Sequence, residues 1–537
     1  MTVAVGGIGT YVTSNLPPPS YDLIPGSADV LPSFSALPDA FEVEIPSGTA
    51  QGMMMTLSSL QGLVNRGGAQ IFLNESGTSN TSFLLQFIKG RYPVSFSSIS
   101  TVSFLHNFSS FASGLVIYEP SRPETVTVAT VMAGLEDCIM VEPSSIDEIS
   151  GLTGLSVTFD LRQPPWSGLT ELQIQRKSFD EFYPGSSRNM LGIIAPDKIG
   201  LRDYLIAAKV WTFYARQGPF ASQEEIDFTK DILAATPHNM PILGWFETPN
   251  LVEENFFVQA ASSEGKYILG GHNVPNLSFL SGLSPPTAFN QRRIIPRQPA
   301  LADDGIYVSF AVPDGDNIDF ATAKMLEVWH DEVRGTVPIT WSISPLLAEL
   351  APPLLDYYYS EATALDSFIA GPSGAGYMYP GFAPQSDLDQ FLVSTRYAMK
   401  AADVDTVWLL NAFRAYEVPY REETLRAYVN ALEPRGIILD YSDQAVTRDV
   451  WMQEGRTSGA PIIRSTHLWS GQDNLVGKVM VDIDAAPSKP HFFFVVVYPW
   501  TLRLGEAVKS LETLRARYGE RVNVVSVENM LGLITAS

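Results

Sequence analysis

Short apolar runs recur at even intervals through residues 306–527, and their spacing constrains the fold more than any other feature of the chain. They are Ile306 to Val312, Val337 to Ile343, Ser367 to Ala370, Thr406 to Leu410, Gly436 to Leu439, Pro461 to Arg464, His491 to Val497 and Val522 to Val527. Each is strand-sized. Helical periodicity lies between several of them, at Ile318 to Val333, Pro345 to Leu365, Ser386 to Ala402, Arg421 to Leu432 and Leu504 to Tyr518. Strands alternating with helices over roughly 235 residues have the length of a (β/α)8 barrel. The expected class is α/β, with a C-terminal (β/α)8-like, TIM-type barrel over residues 301–537. Trp469 to Asp484 gives no clean helix, which leaves a seven-stranded or distorted ring open.

A chain of 537 residues exceeds one ordinary core, so further units are expected ahead of the barrel. Met53 to Arg66 sets Met53, Leu57, Leu60 and Val64 on one helical face, and a strand at Gln70 to Leu73 follows. Helix at Thr81 to Arg91, strand at Ser113 to Tyr118, helix at Thr125 to Leu135 and strand at Asp137 to Val141 complete a small α/β domain over 39–150. Residues 1–38, rich in Gly, Pro and Ser, read as an extended arm. Residues 151–190, with Pro164, Pro165 and Trp166, read as a connecting region. A second α/β domain over 191–300 is expected from helices at Asp203 to Arg216 and Ser222 to Ala235 and strands at Pro241 to Phe246 and Lys266 to Leu269. The Arg- and Pro-rich stretch Asn290 to Asp304 is the last linker.

Charge narrows the partners. A net charge of −23 and a pI near 4.6 argue against nucleic acid, whose binders need a basic face. An uncharged or weakly polar ligand fits better. The lone Cys138 cannot form an internal disulfide and excludes CxxC metal sites. No segment reaches the roughly 20 apolar residues of a membrane span, and the amino terminus lacks the pattern of a signal peptide. Asn-x-Ser/Thr triplets at Asn74, Asn80, Asn107 and Asn276 are weak support for an extracellular or periplasmic location.

The densest motif runs from Pro372 to Pro380, Pro-Ser-Gly-Ala-Gly-Tyr-Met-Tyr-Pro. Gly374 and Gly376 allow close backbone approach, and Tyr377 and Tyr379 alternate with Met378 so that both rings face one side. Such a pair suits the apolar face and hydroxyl edge of a sugar, although half-buried core tyrosines give the same string. This stretch resembles the motif that names the GxGYxYP family of putative glycoside hydrolases. Asp314-Gly315-Asp316-Asn317 and the run Leu60-Gln61-Gly62-Leu63-Val64-Asn65-Arg66 are also similar to segments of that family, so the resemblance covers most of the chain. It implies a carbohydrate-active hydrolase with a glycan as substrate.

A barrel places its active site at the carboxyl ends of its strands, so the acids there are the candidates. Asp314 and Asp316 follow the first run, and two acids with an amide exceed what one helix cap needs. Residues two apart share a side, so the partner carboxyl of a two-carboxylate mechanism is expected across the mouth, at Glu417 or Asp440. Trp341, Tyr377, Tyr379, Asn317, Arg414, His467 and Trp469 are the candidate substrate-binding residues, with Trp341 equally explained as core. No cofactor is expected, save Ca²⁺ as an option on Asp314, Asp316 and Asn317, which offer hard oxygen ligands. Two other readings remain: a non-catalytic glycan-binding or surface-assembly protein, and a metal-dependent carbohydrate deacetylase. Widely separated His330, His467 and His491 weaken the latter. No Gly-x-Ser-x-Gly elbow or nucleotide loop is present.

Overall fold

The computed structural model describes residues 31–77, 79–246, 251–291, 299–412, 420–440, 460–465, 467–469 and 475–536. Three small parallel sheets precede the barrel. The first holds β1 (Ala36–Ile45), β2 (Ala69–Glu75) and β3 (Ser95–Ser100) in the order β2-β1-β3. The second holds β4 (Gly114–Ile117), β5 (Cys138–Val141) and β6 (Val157–Asp160) in the order β5-β4-β6. The third, ordered β10-β9-β7-β8, holds β7 (Leu191–Ile193), β8 (Thr212–Phe213), β9 (Pro241–Gly244) and β10 (Tyr267–Leu269). Two sheets thus occupy the stretch expected to hold one domain, and β6 extends the second into the expected connecting region. The first strand also starts at Ala36, inside the expected arm. The helix expected at Asp203 to Arg216 is only Arg202–Ala207, because Lys209 turns into left-handed backbone (φ 54°) and the chain re-enters a sheet at β8.

One helix holds these sheets together. Gln51–Arg66 buries Leu57, Leu60 and Val64 as its periodicity predicts, and its polar residues are buried too. Asn65 Nδ2 donates to the Ile71 carbonyl (3.0 Å) and to Ser278 Oγ (2.9 Å), while Gln61 Nε2 donates to Asn276 Oδ1 (2.7 Å). Arg66 donates to the carbonyls of Gly134 (2.7 Å) and Ile206 (2.8 Å) and pairs with Asp137. The Leu-Gln-Gly-Leu-Val-Asn-Arg run is therefore a clamp that joins all three sheets. Buried polar groups must find partners, and here the partners lie in different units.

The remaining strands are β11 (Ile306–Val312), β12 (Ile339–Ile343), β13 (Asp366–Ala370), β14 (Thr406–Leu409), β15 (Gly436–Leu439), β16 (Ile462–Arg464), β17 (His467–Trp469), β18 (His491–Val497) and β19 (Val522–Val524). Parallel pairing runs β16-β15-β14-β13-β12-β11-β18-β17. Two residues separate β16 from β17, so one interrupted strand leads from β15 round to β18 and the ring is a nearly closed barrel of seven staves. The expected eighth strand is not a stave. β19 pairs only with Ile306 to Val308, the amino half of β11, on the edge whose upper half pairs with β12. The helix Val527–Ala536 that follows packs into the interior cluster with Tyr307, Trp408 and Ile438, so the lumen is a filled core. A helix also forms at Leu475–Ala485, where periodicity gave none. Among the described residues no helix is long and apolar enough to cross a membrane.

Candidate active site

The site lies where the carboxyl ends of the barrel strands meet the third sheet. Main-chain bonds make this seam. Ile268 N donates to the Tyr377 carbonyl (2.9 Å), Tyr377 N donates to the Ile268 carbonyl (2.8 Å), and Ile318 N donates to the Gly270 carbonyl (2.7 Å). Gly376 permits this approach, since a Cβ there would lie 2.6 Å from the Tyr267 ring and 2.8 Å from the Ile268 oxygen. Gly315 lets the acidic loop lie on β12, because a Cβ there would stand 2.2 Å from the Ser342 carbonyl carbon. Its N–H donates to Ser342 Oγ (2.8 Å), which fixes the loop between Asp314 and Asp316.

Three carboxyls converge here. Asp316 is 9% exposed, and burial together with the neighbouring Asp314 and Glu254 carboxylates pushes it well above the usual range. Burial pushes Asp314 up to about 6, against a hydrogen bond donated by Trp500 Nε1. Glu254, on the helix Leu251–Ser263, is pushed up to about 7 by burial, against a bond donated by Tyr377 and with Asp314 adding repulsion. No cation offsets Asp316 or Glu254 among the described residues. No group of three or more His, Cys, Asp or Glu among those residues is arranged to hold a metal ion.

The motif tyrosines share a side, but not as a sugar wall. Tyr379 is 0% exposed and the Tyr377 ring stacks on Trp245 (centroids 6.2 Å apart, planes at 5°), so neither face is open to a ligand. They act through their hydroxyls. Tyr377 donates to Glu254 Oε1 (2.9 Å), lies 3.2 Å from the Tyr379 hydroxyl, and Tyr379 donates to Asn255 Oδ1 (2.8 Å). The motif thereby holds the helix that carries Glu254.

Family models match three stretches: the "GxGYxYP putative glycoside hydrolase C-terminal domain" over residues 304–535, the GxGYxYP third domain over 189–282 and the GxGYxYP_N second domain over 112–169. The chain belongs to the GxGYxYP family. A crystal structure of a "putative hydrolase" from Bacteroides thetaiotaomicron VPI-5482 is similar in fold, with a TM-score of 0.77 at 21% identity over 95% of this chain and 97% of that one. No match is found among curated proteins. The third GxGYxYP domain and the C-terminal one are the two sides of the seam just described.

The other expected residues fall elsewhere or do other work. Trp341 is core: fully buried, it packs on Trp329 and donates to Asp366 Oδ1 (2.8 Å), so it cannot be a platform. Asn317 Oδ1 accepts from Phe320 N (3.1 Å), the capping role one amide fills. Asp440 is buried with Arg464 (3.3 Å) and the Tyr420 hydroxyl (2.9 Å) on its carboxylate, which makes it half of an ion pair. Glu417 and Arg414 lie outside the described residues. His467 and Trp469 lie in β17, and their side chains are outside the described set. Reading strand ends in the barrel alone missed Glu254, Asn255 and Trp245, which follow β9 in the GxGYxYP third domain. It also missed Trp500, although β18 ends three residues before it.

Proposed function

We propose that this GxGYxYP protein is a glycoside hydrolase that uses Asp314 and Asp316 as its two carboxyls, with Glu254 setting their protonation. The supporting observation is the convergence of three acidic side chains from two domains, two of which, Asp316 and Glu254, have no neighbouring cation among the described residues. Glycosidic cleavage needs one carboxylic acid to protonate the leaving oxygen and one carboxylate to attack the anomeric carbon or activate water. Carboxyls packed together cannot all ionise, so such a cluster holds both forms near neutral pH. Asp314, steadied by the indole N–H, ionises first and is assigned base or nucleophile. Asp316, repelled by both neighbours, keeps its proton and is the acid. Asp314 sits in left-handed backbone (φ 70°), so the extended-strand register in which residues two apart share a side does not apply to this pair.

Aryl glycosides test the assignment. Asp316→Ala is expected to retain turnover of substrates with strongly acidic leaving groups and to lose the rest, whereas Asp314→Ala is expected to be inactive on both and rescued by azide. Equal behaviour of the two variants would overturn the roles. Repeating the assay with chelator and with added Ca²⁺ separates a metal-dependent reaction, and glycan binding with no turnover would favour a non-catalytic protein.

A further inference from the structure

We infer that the groove beside Trp500 binds the part of a neutral glycan chain that extends beyond the cleaved bond, with Trp500 as the platform for its first ring. This rests on the glycosidase reading and adds a substrate class to it, a chain longer than one sugar. The groove encloses about 610 Å³, within the roughly 300–1,000 Å³ of small-molecule sites. One wall is the segment after β11, with Lys324, Glu327 and His330, and the facing wall is Asn80 and Phe83 on the helix Ser79–Arg91 of the first sheet.

Trp500 joins this groove to the carboxyls. Its Nε1 donates to Asp314 Oδ2, yet the side chain is 47% exposed. An indole fixed by its N–H at a candidate catalytic carboxylate leaves ring surface free beside the reacting bond. A single exposed apolar residue needs no explanation, but this one combines exposure with a hydrogen bond to the cluster and a place in the groove wall. Aromatic faces take the C–H face of a pyranose, and the Lys324 ammonium and exposed Glu327 carboxylate of the wall suit its hydroxyls, whereas both His330 ring nitrogens are held by the Leu326 carbonyl and the Tyr357 hydroxyl. Lys324 Nζ and Glu327 pair at 2.9 Å, so the wall offers little net charge and favours an uncharged sugar. Phe83 is held edge-on by Tyr357 (centroids 4.7 Å) and His330 (6.3 Å), which fixes the far wall.

The test uses the full chain carrying Asp316→Asn to prevent turnover, titrated calorimetrically with neutral gluco-, xylo- and manno-configured oligosaccharides of increasing length. Affinity is expected to rise by about tenfold or more from monosaccharide to trisaccharide. Trp500→Ala and Phe83→Ala should each remove most of that gain. Asn80→Trp, at an exposed helical position, should fill the groove and do the same without disturbing the core. Length dependence that survives in all three variants overturns the groove alone, as does wild-type turnover of aryl glycosides with no preference for longer chains. No binding of any oligosaccharide, with no aryl glycoside turned over by the wild type, overturns the glycosidase reading as well.

Discussion

Asp314 and Asp440 stand at two strand ends of one barrel, each in left-handed backbone (φ 70° and 58°). Their neighbours separate them. Asp440 has an arginine and a phenol on its carboxylate, whereas Asp314 has an indole N–H and two further carboxyls. A buried acid facing a cation is a finished structural contact. A buried acid facing other acids is strained for a proton, and the fold bears the cost because other packing outweighs it. Position at a strand end therefore does not by itself single out a candidate carboxyl; the company of other acids does.

The sharpest way to break this comparison is to neutralise each acid in turn. Asp316→Asn should lower kcat/KM on an accepted glycoside by about 10³-fold with the fold intact, while Asp440→Asn should cost about 3 kcal/mol in denaturant unfolding by leaving Arg464 without its counter-charge. The reverse pattern would show that Asp440 is the reactive group. Next in size is the pH dependence of stability. Glu254 holds its proton more tightly folded (about 7) than unfolded (4.5), so its contribution is full below pH 4.5 and lost as pH rises through 7. Glu254→Gln should then stabilise the protein by about 3 kcal/mol at pH 8 and hardly at all at pH 4, followed by thermal unfolding at both values. Tyr379→Phe should be the mildest, about 1 kcal/mol in urea, because it removes one buried hydroxyl from the chain that ends on Asn255.

Periodicity made the barrel legible, since strands such as Gly436–Leu439, and His491–Val497 after its first residue, are apolar runs with both faces covered. The sixth stave was harder to read because it is broken between β16 and β17. The eighth run was misleading because Val522–Val524 is apolar for a different reason, pairing at a half-edge. Tyr377 and Tyr379 alternate as their spacing predicts, but spacing cannot tell an open face from one covered by Trp245. Glu254 was hidden because its relation to Asp316 is spatial, made by helix Leu251–Ser263 packing across a domain boundary.

The bridge between Ile268 and Tyr377 is written in peptide groups, which every residue but proline carries. Side chains along such a joint can drift without loosening it, provided a glycine persists where the two backbones touch. A structure only 21% identical shares the same overall fold across 95% of the chain. Cutting the protein into its domains would sever that joint, so the isolated barrel carries only half of the candidate site.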